Sequence, residues 1–243
     1  MLLAAWWGFV GGAALVLGAV IALRFPVSQR AIGLIMAFGG GVLISAVAFE
    51  LTFESFNVGG SDATAIGLAA GALCFFFGDR IIDRRGGDNR KRSGGQQTSE
   101  GTGMPIVLGA LLDGIPESAA IGISLIGGGK VAGSVVAAVF LSNVPESLSA
   151  TTGLQKSGRS PRFILLLWLG VAAVSTLAAV LGYQLLGGAS ENVIAAVQAF
   201  AAGAILTMLA DTMMPESFEH GGSEVGLLTV LGFALASYLS TLS

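Results

Sequence analysis

Seven acidic residues stand where a lipid-embedded helix would least accept them. Glu50, Glu54, Asp113, Glu117, Glu146, Asp211 and Glu216 all fall inside or at the ends of long apolar stretches. An ionised side chain at mid-bilayer costs about 2.5–3.5 kcal/mol on insertion scales. No Lys or Arg lies well inside a stretch to offset it. The compensating charge must be a proton or a bound cation. Spacing narrows the chemistry further. Asp113 and Glu117 are four residues apart, Asn143 and Glu146 three, so each pair shares one helix face. Pro116 removes its own N–H and frees the carbonyl of Leu112, and Pro145 frees that of Leu141. The expected result is a broken helix with carbonyls beside carboxylates, and Ser118, Ser124, Ser142 and Ser147 add hydroxyl oxygens. That is a cation site, and in lipid such backbone is tolerated only where it lines a cavity.

The core of the motif recurs. Pro-Glu-Ser stands at 116–118, 145–147 and 215–217, with Phe53-Glu54-Ser55 as a fourth copy. A single such site reads equally well as a packing kink with a protonated, hydrogen-bonded acid. Two on adjacent helices favour function, because intramembrane carboxylates default to it.

The elements that hold these residues are apolar helices. Of 243 residues, 53% are hydrophobic and only 11% charged, against about 25% charged in a soluble domain. One Cys excludes a disulfide scaffold, and the 37 Gly lack the three-residue period of collagen. Eight stretches reach the length of about 20 residues that a bilayer core requires. They are approximately 3–23, 31–55, 63–83, 103–126, 130–154, 162–186, 191–214 and 223–242. The fold class expected is an all-α polytopic membrane protein. With both termini outside, eleven of the twelve Lys and Arg fall on the cytoplasmic side, Lys130 being the exception. The polar segment 84–102 reads as a flexible cytoplasmic linker, and its basic cluster as a topology signal rather than a nucleic-acid site.

The chain also repeats itself at an offset of 162. AFGGGVLISAVAFELTFESFNVGGS (37–61) matches AFAAGAILTMLADTMMPESFEHGGS (199–223) at ten of twenty-five positions without a gap. Stretch 2 thus corresponds to stretch 7 and stretch 3 to stretch 8. The topology runs 2 and 7 in opposite directions, so spans 1–3 and 6–8 are expected as inverted repeats around spans 4 and 5, a 3+2+3 plan. Inverted repeats are an architecture of secondary transporters, with the substrate site near the midplane.

On these residues the chain resembles the ZIP family of divalent-metal transporters. The resemblance covers nearly everything but the 84–102 loop. The family's span-4 signature, usually His-Asn-x-Pro-Glu-Gly, is here Asp113-Gly114-Ile115-Pro116-Glu117-Ser118; its span-5 counterpart is Ser142-Asn143-Val144-Pro145-Glu146-Ser147. Span 7, AGAILTMLADTMMPESFEHGG, is similar to the family's acidic-x-x-Pro-Glu-Ser-x-His ending. The resemblance implies eight spans, a binuclear metal site on spans 4 and 5, and uptake towards the cytoplasm across a bacterial plasma (inner) membrane. Glu117 and Glu146 match the ligand pattern directly, whereas Asp113 and Asn143 hold ligand positions with changed chemistry; Ser142 lies beside them. The missing histidine leaves an all-oxygen set, which favours Mn²⁺, Mg²⁺ or Ca²⁺, while the family points to Zn²⁺, with Fe²⁺ and Cd²⁺ as further cargo. No prosthetic group is expected. Expected partners are the cation, membrane lipid and a second copy of the chain as a homodimer, with no nucleic acid.

Other residues divide between function and architecture. His220, the single histidine, follows Glu216 by four and Glu219 by one, which reads equally as a metal exit site or a solvated helix end. Asp211 and Glu50 either line the pathway or bond to neighbouring helices. Cys74 lies in an apolar run as a core or lipid-facing residue. No GxSxG, P-loop or HExxH motif supports an enzyme. A degenerate sensor and a cation channel are the nearer alternatives. An intramembrane hydrolase with Asp113 and Asp211 as its dyad is the remoter one.

Overall fold

The computed structural model describes residues 1–84, 104–126 and 133–241, which form helices joined by short links with no strand among them. Nearly all of the 84–102 linker, and the turn holding Lys130, lie outside the described residues. In chain order the helices are α1 (Leu2–Arg24), α2 (Gln29–Ala46), a π-helical segment Val47–Phe53, α3 (Glu54–Ile82), α4 (Met104–Ile123) and α5 (Gly133–Lys156). There follow α6 (Pro161–Leu186), α7 (Glu191–Met208), a second π segment Leu209–Met213, α8 (Met214–Gly221) and α9 (Val225–Ser240). Local signals set several ends. Ser28 caps α2 by accepting from the Ala31 N–H, and Ser160 caps α6, with Pro161 in its first turn. Gly158, at φ 75°, ends α5, and the Arg159 N–H closes back on the Leu154 carbonyl at 3.0 Å.

Many large apolar side chains point outward and many small residues lie inside. Leu2, Ile66, Leu166, Leu185 and Leu227 are each more than two-thirds exposed, whereas Ala4, Ala14, Ala19, Ala37, Ala138 and Ala199 are fully buried. Water would penalise such a surface; lipid does not, and small residues let helix backbones approach. Among the described residues four helical stretches, Leu2–Arg24, Gln29–Ile82, Pro161–Leu186 and Glu191–Ser240, are long and apolar enough to cross a membrane. These are the marks of a helical membrane protein.

Stretches 2 and 3 meet without a loop: α2, the π segment and α3 follow one another directly. Kept straight they would span about 80 Å, far beyond a bilayer core of about 30 Å. A single residue breaks the line, in the interval between the two stretches: Gly60, at φ 73° and ψ −175°, a conformation closed to side chains with a Cβ. Gly222, 162 residues later, does the same between α8 and α9 at φ 72°. One expectation about local structure needs correction, that of the prolines. Pro116 and Pro145 lie inside unbroken helices, α4 and α5. One missing hydrogen bond does not open a helix whose flanks are packed, here α4 on α6 and α5 on α1. The irregular backbone sits in the π segments, and these too are 162 residues apart. At the first, the Gln198 amide donates to the Glu50 carbonyl at 2.8 Å, supplying a partner from a neighbouring helix.

The helices pack across the halves of the chain. α3 lies along α7, α2 along α9, and α1 between α5 and α6. Close approaches occur in matched pairs. A Cβ on Gly41 would collide with the Thr229 carbonyl, and one on Gly203 with that of Leu68; Gly71 meets Phe200 in the way that Gly232 meets Phe38. Each contact reappears at positions 161 or 162 residues away, with the roles of the halves exchanged.

An ion pair ties the start of α2 to the link before α9. Arg30 and Glu224 lie 2.8 Å apart, both exposed. The Glu224 carboxyl is held below the usual carboxylate range, first by a backbone N–H and then by the Arg30 charge. A depressed folded value means that the contribution is present above the ordinary carboxylate pKa and is lost as pH falls through the lowered one. Exposure keeps it small and salt-sensitive. Glu224→Gln should leave the melting temperature in detergent unchanged at pH 7 in high salt. A clear drop under those conditions would show that the pair is structural.

Candidate functional site

The polar residues of α4 face inward. Asp113 is 2% exposed and Glu117 fully buried, one turn apart, with Ser118 beside them. A Cβ on Gly114 would come within 3.1 Å of the Ser175 hydroxyl of α6, so a bare position lets α6 close over this face. The spacing of Asp113 and Glu117 and the burial of both follow from one helical period.

α5 carries a longer polar seam, and most of its donors are committed locally. Ser142, Asn143, Ser147, Ser149 and Thr151 are all buried. Ser142 donates to the Val139 carbonyl at 3.0 Å and Ser147 to that of Asn143 at 2.9 Å. The Asn143 amide donates to the Gly11 carbonyl of α1 at 3.1 Å, which turns its NH₂ towards α1 and keeps its own oxygen as acceptor. The Leu141 carbonyl, freed by Pro145, lies against Gly39 of α2, where a Cβ would come within 3.0 Å of it. Thr151 accepts from the buried Trp168 indole at 2.8 Å.

The tertiary fold joins one pair of acids that the sequence leaves far apart. Glu146 of α5 and Glu216 of α8 line a single small cavity, together with Ser149 and Thr212. Its volume is about 10 Å³, room for roughly one water. Glu216 is only 4% exposed and accepts a hydrogen bond from Ser149 at 2.5 Å. No Lys or Arg among the described residues lines the cavity; the remaining wall is methionine, from Met36, Met208 and Met213. Two carboxylates thus border one small cavity, where a shared proton or a cation would lower the cost of holding both.

The other expected site residues lie elsewhere. Glu50, in the first π segment, accepts from Ser240 of α9. Asp211, in the second, is exposed, so Asp113 and Asp211 do not share a buried environment. His220 packs near Gly33 of α2, its Nε2 buried without a hydrogen-bond partner, while Glu219 is exposed. Among the described residues no three His, Cys, Asp or Glu side chains gather to hold a metal, either at His220 or on α4 and α5. No family model and no curated protein matches this chain at a significant level. Sequence reading missed Ser149, Thr212 and the methionines. Ser149 alone left a signal, since it stands one turn from Glu146 on the same face. The rest are brought in from α2, α7 and the π segment by packing alone.

Proposed function

We propose that this chain is a membrane carrier of divalent cations, with the cation passing an acidic site on α4 and α5. The observation that carries the reading is the burial of Asp113 and Glu117 on one face of α4. The described Lys and Arg residues all sit at helix ends or in links. Two buried carboxylates on one helix face supply the oxygen donors that a divalent cation takes. The eight-span, 3+2+3 plan with inverted repeats belongs to the proposal. It is supported by the 162-residue offset shared by the glycine contacts, the π segments and the Gly60 and Gly222 kinks. Likeness to ZIP proteins supplies the direction, towards the cytoplasm of a bacterial cell, and the distribution of Lys and Arg supports both termini outside.

Glu117 and Glu146 hold the cation, with Asp113 and the Asn143 oxygen as further donors. Glu216, facing Glu146 across the small cavity, is the next carboxylate along the route. Its counterpart in the first half, Glu54, is exposed.

The test is uptake of Mn²⁺, Zn²⁺, Fe²⁺ and Cd²⁺ into proteoliposomes. Saturable uptake is expected. Flux linear in concentration would make the protein a channel, and no flux for any ion with correctly inserted protein would overturn transport in favour of a sensor. In the same assay Asp113→His should shift preference towards Zn²⁺, because imidazole suits that ion better than carboxylate does. An unchanged metal profile would remove Asp113 from the ligand set.

A further inference from the structure

A cleft follows the seam between α4 and α6. It holds about 430 Å³, in the range of small-ligand sites. Val107 and Leu111 of α4 form one wall, and Phe163, Leu166 and Val174 of α6 the other. Gly170 lines it too, one helical turn from Leu166 and from Val174, and a Cβ there would meet nothing within 4 Å. The bare position keeps the middle of the cleft open. From Phe163 to Val174 the helix rises about 16 Å, roughly half of a bilayer core about 30 Å thick. The cleft is thus one leaflet deep. Basic charge stands at one end of it. The Arg159 guanidinium lies over the Phe163 ring, 5.4 Å from its centroid, at the mouth. Arg162 is exposed in the first turn of α6. Among the described residues neither forms an ion pair, and no Asp or Glu stands between Glu146 and Glu191 in the chain. Beyond Val174 a second cleft continues towards Leu185, and no charged residue lines it.

We propose that the α4–α6 cleft binds one anionic phospholipid, with an acyl chain lying along Gly170 and the phosphate held by Arg159 and Arg162. Every outer face of a membrane protein touches lipid. This one joins an apolar slot of leaflet depth to two cations at its mouth, which is charge complementarity to an anionic headgroup. Guanidinium presents forked donors that match phosphate, and basic pockets between transmembrane helices bind anionic headgroups. A second copy of the chain fits the cleft less well. Helix contacts in lipid favour small residues on both sides, whereas these walls are Val, Leu and Phe with Gly170 alone between them. The inference needs only a helical membrane protein, so it stands or falls apart from cation transport.

The test is native mass spectrometry of the full chain in detergent, titrated with phosphatidylglycerol or with phosphatidylcholine of the same acyl chains. One phosphatidylglycerol should bind about tenfold or more tightly than phosphatidylcholine, the scale set by two arginines near a membrane surface. Arg159→Gln/Arg162→Gln should abolish that preference. Arg24→Gln/Arg84→Gln removes the same charge from other helix ends and should keep it. Gly170→Leu fills the cleft while both arginines stay, and the tight phosphatidylglycerol should be lost from a folded protein, since nothing opposes the added side chain. Equal affinity for the two lipids in the parent protein would overturn the site. So would an undiminished preference in the Arg159/Arg162 or the Gly170 variant, or its loss in the Arg24/Arg84 control. A dimer in lipid-free detergent that Gly170→Leu disperses would assign the face to a second copy of the chain and overturn it as well.

Discussion

Cation uptake into proteoliposomes should fall to background in the Glu117→Ala/Glu146→Ala double variant, while the protein still folds. Glu117 is fully buried on α4, and Glu146 borders the cavity that it shares with Glu216. Removing direct ligands should cost at least the roughly 10–100-fold that altering their second-shell support costs, so loss of measurable flux is the expected scale. Truncating two largely buried side chains also leaves a cavity, so a modest fall in melting temperature with the fold retained is expected. Wild-type uptake by a folded double variant would take both residues off the pathway. Loss of uptake together with loss of folding would instead assign them to the scaffold, a distinction that the melting curve makes directly.

The second large effect concerns backbone contact. Gly41→Ala and Gly203→Ala should each destabilise the protein by about 1–3 kcal/mol, the usual scale of overpacking. In both cases the new methyl would meet a backbone carbonyl, Thr229 or Leu68, which cannot swing aside as a side chain would. The helices themselves, α2 from α9 and α3 from α7, must move apart. Because the two positions occupy the same place in the repeat, their costs should agree. Gly170→Ala is the control: nothing lies within 4 Å of a Cβ there, so better helix propensity should leave it neutral or more stable by up to about 1 kcal/mol. Unfolding of the purified protein in mixed detergent would measure all three. If Gly41→Ala is costly and Gly203→Ala neutral, the equivalence of the two halves fails at their closest contact.

Composition and period alone determined a good deal about this protein. With 11% charged residues no water-soluble surface can be covered, so a helical membrane protein followed before any contact was known. The spacing of Asp113 and Glu117 placed both on one helix face, and burial of that face follows from the cost of leaving acids in lipid. The 162-residue repeat announced which glycines and which kinks would correspond. Sequence logic failed where an outcome depended on a neighbour. Proline was expected to break α4 and α5, but packing on α6 and α1 holds both helices whole, and the irregular turns moved to π segments that carry no proline. Glu54 and Glu216 belong to matching motifs at matching repeat positions, yet one is exposed and the other buried against the Ser149 hydroxyl. The residue three after Glu146 is Ser149 and the residue three after Glu117 is Ala120, a difference whose meaning depends on what is packed opposite. The cavity joining Glu146, Glu216 and three methionines draws on helices more than a hundred residues apart in the chain. Local sequence sets which way each side chain faces on its own helix; only tertiary packing decides which faces meet.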